Sequence, residues 1–127
     1  IAFMPGQEEL HSTGGTMRLG AYPCLLKENS LAMKVYLESS ISERHRHRYE
    51  FNNNFREKFE TNGMIISGTS PDNKLVEIAE VLNHPYMIGS QFHPEFKSRP
   101  ERPHPLFSCF IENSMKIKRE GDQHNLF

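Results

Sequence analysis

The sequence predicts an α/β domain, and two observations predict it. Three apolar, strand-like runs at residues 64–67, 75–79 and 86–92 follow one another across turn-forming stretches, Ser70, Pro71, Asp72 and Asn73 in the first gap and Asn83, His84 and Pro85 in the second. Segments with capping residues and one apolar face stand on either side of these runs, as helices do when they cover a sheet. No internal repeat and no shift of composition marks a boundary, so the 127 residues read as part of one sheet-centred domain.

Taken in order, residues 1–15 mix Pro5, Gly6, His11, Ser12, Gly14 and Gly15, a composition that favours a connector. From Thr16, Met17 and Leu19 fall on one side of an alternating pattern, which predicts a short strand closed by Gly20. Asn29 or Ser30 can cap a short helix through Leu31, Met33, Val35 and Tyr36. A second helix is predicted from the Asn52, Asn53 and Asn54 caps, through Phe55 and Phe59 at i,i+4 spacing, to a stop at Gly63. Pro105 suits a first helical turn, and Leu106, Phe107, Phe110, Ile111 and Ile117 line one face of a terminal helix whose polar end, from Lys118 onward, is expected to fray.

Charge and composition narrow the function classes. Fifteen Lys plus Arg against sixteen Asp plus Glu leave a net charge of −1, which gives no general reason to expect a nucleic-acid or anionic-membrane partner. Two cysteines, Cys24 and Cys109, are too few for a disulfide framework, and no signal peptide or long apolar run is visible, so a cytoplasmic location is the default expectation. Neither cysteine has the Gly-x-Cys-x-Gly setting of a nucleophile elbow; Cys109 reads as packing and Cys24 has no neighbouring base.

The most informative segment is 91–96: Gln91, Phe92, His93, Pro94, Glu95 and Phe96. It places an imidazole and a carboxylate two positions apart at the end of an apolar strand. In an extended chain such residues point the same way, and Pro94 stiffens the step between them. A carboxylate on one ring nitrogen fixes the tautomer and leaves the other to take a proton from a nucleophile. The competing reading is a turn with a solvated acid, and spacing alone leaves both open.

Residues 43–50 alternate cations with an aromatic and flanking acids: Glu43, Arg44, His45, Arg46, His47, Arg48, Tyr49 and Glu50. Three readings stand. A metal site is opposed by the interleaved arginines and by the lack of a partner at ligand spacing. A phosphate or nucleic-acid patch suits the arginines but not the neutral chain. The third is a polar strand or loop with a residue or two recruited to hold an anionic group such as a carboxylate. The glycines of Gly14, Gly15, Thr16, Met17, Arg18, Leu19 and Gly20 fit neither a P-loop nor a dinucleotide fingerprint, and by spacing they make a turn.

Together and in this order, these three segments resemble the glutaminase domain of the CTP synthases over about residues 13–112. Residues 91–95 resemble the His/Glu motif of class I glutamine amidotransferases in general; segments 14–20 and 43–50 single out the CTP synthases. The resemblance implies a flavodoxin-like α/β class I amidotransferase domain of which this chain is the C-terminal half. It implies a Cys thiolate that hydrolyses L-glutamine and ammonia passed to a synthase domain that aminates UTP to CTP. Carried onto this sequence, His93 is the general base and acid, Glu95 its orienting partner and Arg48 a glutamine-binding residue. ATP and magnesium belong to the synthase domain, with no cofactor or metal in this segment, and the family implies a homotetramer.

In the family, the elbow cysteine, the oxyanion-hole glycines and the synthase domain precede the region matched, and position 1 here is Ile. The expectation is therefore a fragment, inactive alone for want of the nucleophile, with exposed strand edges and apolar surface. Two alternatives remain: the glutaminase part of another class I amidotransferase, against which segment 43–50 argues, and a non-catalytic module that kept the fold and lost the nucleophile.

Overall fold

The computed structural model describes residues 1–3 and 17–124. Gly14, Gly15 and Thr16, and most of the expected connector, lie outside the described residues. Strands β1 (Ala2–Phe3) and β2 (Arg18–Leu26) precede helix α1 (Leu31–Tyr36), β3 (Ser40–His47) and β4 (Tyr49–Glu50) precede α2 (Arg56–Thr61), and β5 (Met64–Thr69), β6 (Val76–Val81) and β7 (Ile88–Ser90) precede α3 (Pro105–His124). The main sheet has five strands in the order β3-β2-β5-β6-β7, and β1 pairs separately with β4. Every pairing among the described strands is antiparallel, so this part of the domain is a curled antiparallel region rather than the parallel portion of a flavodoxin-like sheet.

The first strand is longer than its sequence signal. Gly20 does not close it but lies within it at φ 100°, opposite His45, and pairing with β3 continues to Leu25. Alternation along β3 sends Ile41, Glu43 and His45 inward and leaves Ser42, Arg44 and Arg46 exposed. The alternating basic segment is thus an edge strand whose outward row is cationic, a composition that blunts edge pairing.

Helix α1 forms as expected, with Ser30 as its cap: the Ser30 hydroxyl accepts from Met33 N at 3.1 Å. The neighbouring free amides of Leu31 and Ala32 donate to the buried Glu80 carboxylate of β6 at 2.8 and 3.1 Å, which ties this short helix to the sheet. Asn52 caps the next segment by accepting from Asn54 N. A 3-10 turn over Asn53–Phe55 precedes α2, and the chain leaves through Gly63 at φ 87°. Helix α3 runs through Lys118, where the polar end begins, to His124; residues 125–127 of the end expected to fray lie outside the described residues.

The apolar core joins Cys24, Leu26, Ile41, Ile78 and Phe92 of the sheet region to Ala32 of α1 and Leu106 of α3. Beyond Leu106 the apolar face predicted for α3 is not covered: Phe107, Phe110, Ile111 and Ile117 are all exposed. Cys109, read as packing, is only partly buried, and its Sγ receives the Asn113 amide at 3.4 Å.

Candidate active site

His93 follows β7 and caps a 3-10 turn over Pro94–Lys97. Spacing alone brings His93 and Glu95 together on the premise of an extended chain. Pro94 at the first turn position instead bends the backbone, and the contact is made across the turn. His93 Nδ1 lies 2.7 Å from Glu95 Oε1. With Nδ1 donating to the carboxylate, Nε2 carries the lone pair and makes no hydrogen bond among the described residues. The pair is open to solvent, with side-chain exposures of 37% for His93 and 56% for Glu95. The His93 hydrogen bond, followed by a backbone amide, holds the Glu95 carboxyl below the ordinary carboxylate value of 4.5.

Three further contacts hold the turn. His93 N donates to Arg44 O of β3 at 2.9 Å, the His93 ring stacks on Phe96 with centroids 5.1 Å apart, and Lys97 Nζ donates to Ser42 O at 2.6 Å. Lys97 also approaches Glu43 at 3.7 Å. The buried Glu43 receives His104 Nε2 at 2.8 Å and the Tyr36 hydroxyl at 3.1 Å. Because His104 Nδ1 accepts from Leu106 N, the His104 proton sits on Nε2 and points at the carboxylate. Glu43 thus fastens the start of α3 and the end of the His93 turn to the same strand. Burial and the Glu43 charge push the Tyr36 phenol well above its ordinary range, so it stays a donor.

Arg48, the residue singled out for substrate, is exposed in the bend between β3 and β4. It lies four positions along from Arg44, roughly 13 Å at strand rise from the point where His93 is fastened. Its sequence neighbours His47 and Glu50 take part in a largely buried polar cluster. The Arg18 guanidinium grips both carboxylate oxygens of Glu77, one at 2.9 Å, stands 3.5 Å from Glu50 and lies 4.6 Å from the Tyr22 ring centroid. His45 Nδ1 is 2.7 Å from His47 Nε2, and the His45 ring meets Phe92 edge-on. Burial first, then Arg18 and His47, lowers the His45 pKa from 6.5 to about 3 and keeps it neutral. Burial raises the Glu50 carboxyl.

Sequence reasoning missed this cluster and the Glu43–His104 pair. A signal existed for part of it: Glu77 is a lone acid inside an apolar run, and Glu43 and His45 share the inward parity of Ile41. Nothing local pairs Arg18 with Glu77, 59 residues away. The two histidines of 43–50 turn toward each other, and among the described residues no group of three His, Cys, Asp or Glu is placed to hold a metal. Cys24 is buried, and burial followed by the Glu77 charge raises its thiol pKa to about 12, so it is no nucleophile. A cavity of about 810 Å³ includes none of His93, Glu95 or Arg48; it is an apolar depression lined by Phe51, Phe55, Phe59, Val81 and Met87. Among the described residues no helix is long and apolar enough to cross a membrane.

A carboxylate-oriented imidazole beside a strand end is an arrangement able to take up and return a proton. Residues 6–113 match the family profile for Glutamine amidotransferase class-I, and the chain belongs to that family. Its similarity is to CTP synthases in particular. It is 56% identical over 126 residues to the CTP synthase of Roseiflexus sp. strain RS-1, covering 99% of this chain and 23% of that protein. Against the CTP synthase of Staphylococcus aureus strain JH9 it is 56% identical over 119 residues, covering 94% of this chain and 22% of that one. The Trypanosoma brucei CTPS glutaminase domain with bound acivicin superposes with a TM-score of 0.74 at 32% identity, over 83% of this chain and 42% of that domain. The chain thus spans about a quarter of the length of these curated relatives.

Proposed function

We propose that this chain is the C-terminal part of the glutaminase domain of a CTP synthase, and that it supplies two members of a Cys-His-Glu triad. The observation that carries the proposal is the 2.7 Å contact between His93 Nδ1 and Glu95, which leaves Nε2 without a hydrogen bond among the described residues. His93 takes the proton of an upstream cysteine thiol as that sulfur attacks the glutamine carboxamide, and returns it to the departing ammonia. Water then attacks the thioester, and the same imidazole accepts and returns its proton. Glu95 holds the tautomer and stabilises the imidazolium formed in each half. Arg48 pairs with the substrate's α-carboxylate, for which a planar guanidinium is suited.

The rest of the enzyme is proposed with it: a synthase domain that uses ATP and magnesium to activate UTP, a homotetrameric assembly and a cytoplasmic location. ATP and magnesium are proposed to belong to the synthase domain, and the hydrolysis steps above use only His93, Glu95, Arg48 and the upstream cysteine.

The test compares the two nitrogen sources in the full-length protein that carries this segment. His93→Ala abolishes glutamine-dependent CTP formation and leaves ammonia-dependent formation intact. Arg48→Met raises KM for glutamine at least about tenfold with a smaller change in kcat, as loss of a ground-state contact requires. Equal loss with both nitrogen sources would mean that His93 serves the scaffold and not the hydrolysis.

A further inference from the structure

His93 and Arg48 lie on separate segments of chain, and a side-chain bridge joins those segments. Gln91 stands two residues before His93, and Glu50 stands two residues after Arg48; Gln91 Nε2 donates to Glu50 Oε2 at 2.6 Å. This is the only hydrogen bond that Glu50 accepts on its side chain among the described residues, while Arg18 stands 3.5 Å from its other oxygen. Gln91 Nε2 also donates to Val76 O, which ties the bridge to β6, the strand whose Glu77 holds Arg18. On the other side, His47 Nδ1 lies 3.0 Å from Tyr49 O and closes the backbone around Arg48. Glu50 is buried and Gln91 partly so.

Resting on the roles proposed above for Arg48 and His93, we infer that the Gln91–Glu50 hydrogen bond, braced by Arg18, is a positioning device that sets the separation between guanidinium and imidazole and thereby selects glutamine by its length. The substrate is held at two ends, its α-carboxylate on one segment and its carboxamide at the other. Asparagine is shorter by one methylene. If the segments are braced, only one substrate length brings the carboxamide to attack geometry, and a misplacement of about 1 Å is enough to cost roughly 100-fold in rate. If they slide, the shorter amide is better tolerated and the longer one worse. Gln91 and Glu50 are positioning residues, acting through Arg48 and His93.

The experiment uses the full-length protein and measures amide hydrolysis with glutamine and with asparagine, alongside ammonia-dependent CTP formation. Gln91→Met is expected to lower kcat/KM for glutamine by about 10- to 100-fold and to narrow the glutamine-to-asparagine ratio. In the double variant with Arg48→Met the two losses should be strongly non-additive, because the bridge acts through Arg48. Glu50→Gln, whose amide oxygen still accepts from Gln91, should keep the ratio. Additive losses with an unchanged ratio overturn the inference and leave Gln91 a support of the fold. Should Gln91→Met fail to fold, Glu50→Asp carries the same test, since it retracts the acceptor by one methylene: a shifted ratio supports the bridge and an unchanged ratio overturns it. Failure of the underlying reading shows differently, as glutamine hydrolysis that survives His93→Ala or is indifferent to Arg48→Met.

Discussion

The two nitrogens of His93 are assigned different tasks by one neighbour. Glu95 receives Nδ1 at 2.7 Å, a bond that is strongest while the carboxyl is ionised. Its pKa is depressed, so the pair is intact above the ordinary value of 4.5 and is lost as pH falls below that value through the lower folded one. In the full-length protein proposed above, Glu95→Gln should reduce glutamine turnover by about 10²- to 10⁴-fold, because the amide admits the wrong tautomer, and stopped assays of ammonia release would measure it. His45 gives a second residue-scale prediction with its own sign. Its folded pKa of about 3 lies below the free value of 6.5, so the unfolded chain binds the extra proton, and stability falls as pH drops from 6.5 toward 3 and is level above 6.5. Urea midpoints across that range should show this slope, and His45→Asn should flatten it; an unchanged slope would place the titration elsewhere.

At the scale of elements, close packing of β5 on its neighbours and the buried ion pair under β2 decide the geometry. A Cβ at Gly68 would stand 2.8 Å from Cys24 Sγ and 2.9 Å from Ile78 Cβ, at the irregular β5–β6 pairing. Gly68→Ala is expected to cost about 1–3 kcal/mol by overpacking, read as a lowered urea midpoint. Arg18→Met leaves Glu77 charged and unpaired in the interior, with an expected loss of about 3–5 kcal/mol, whereas replacing both partners with apolar residues of similar volume should cost much less. A single variant as stable as the double would show that the pair contributes little. Helix starts and turns were legible because their causes are local: Ser30 and Asn52 cap where their side chains reach the next free amides. Strand β2 was legible only at its start. Pairing with β3, a tertiary partner, carries it past a glycine that local rules treat as a stop.

For the whole molecule, the exposed stripe of α3 and the apolar depression bordered by Phe55, Phe59 and Met87 are surfaces that a folded domain ordinarily covers. The 127-residue chain alone is expected to self-associate, which sedimentation at increasing concentration would reveal, and extension upstream should suppress it. The candidate site was legible as far as its chemistry is written in short motifs. His93 and Glu95 lie two apart, and their contact survived the error in backbone shape because Pro94 bends the chain without separating them. The supports of the site were not legible. The bonds from Gln91 to Glu50 and from His104 to Glu43 cross 41 and 61 residues of sequence, and only the fold brings them together.

The most direct measurement is glutamine hydrolysis by the chain extended upstream in its gene to include the elbow cysteine, set against the same protein with His93→Ala and against the 127-residue chain alone. The account predicts ammonia release from the extended protein only, with the other two at background. Hydrolysis that survives His93→Ala would contradict it and leave a family fold without the chemistry assigned to this turn.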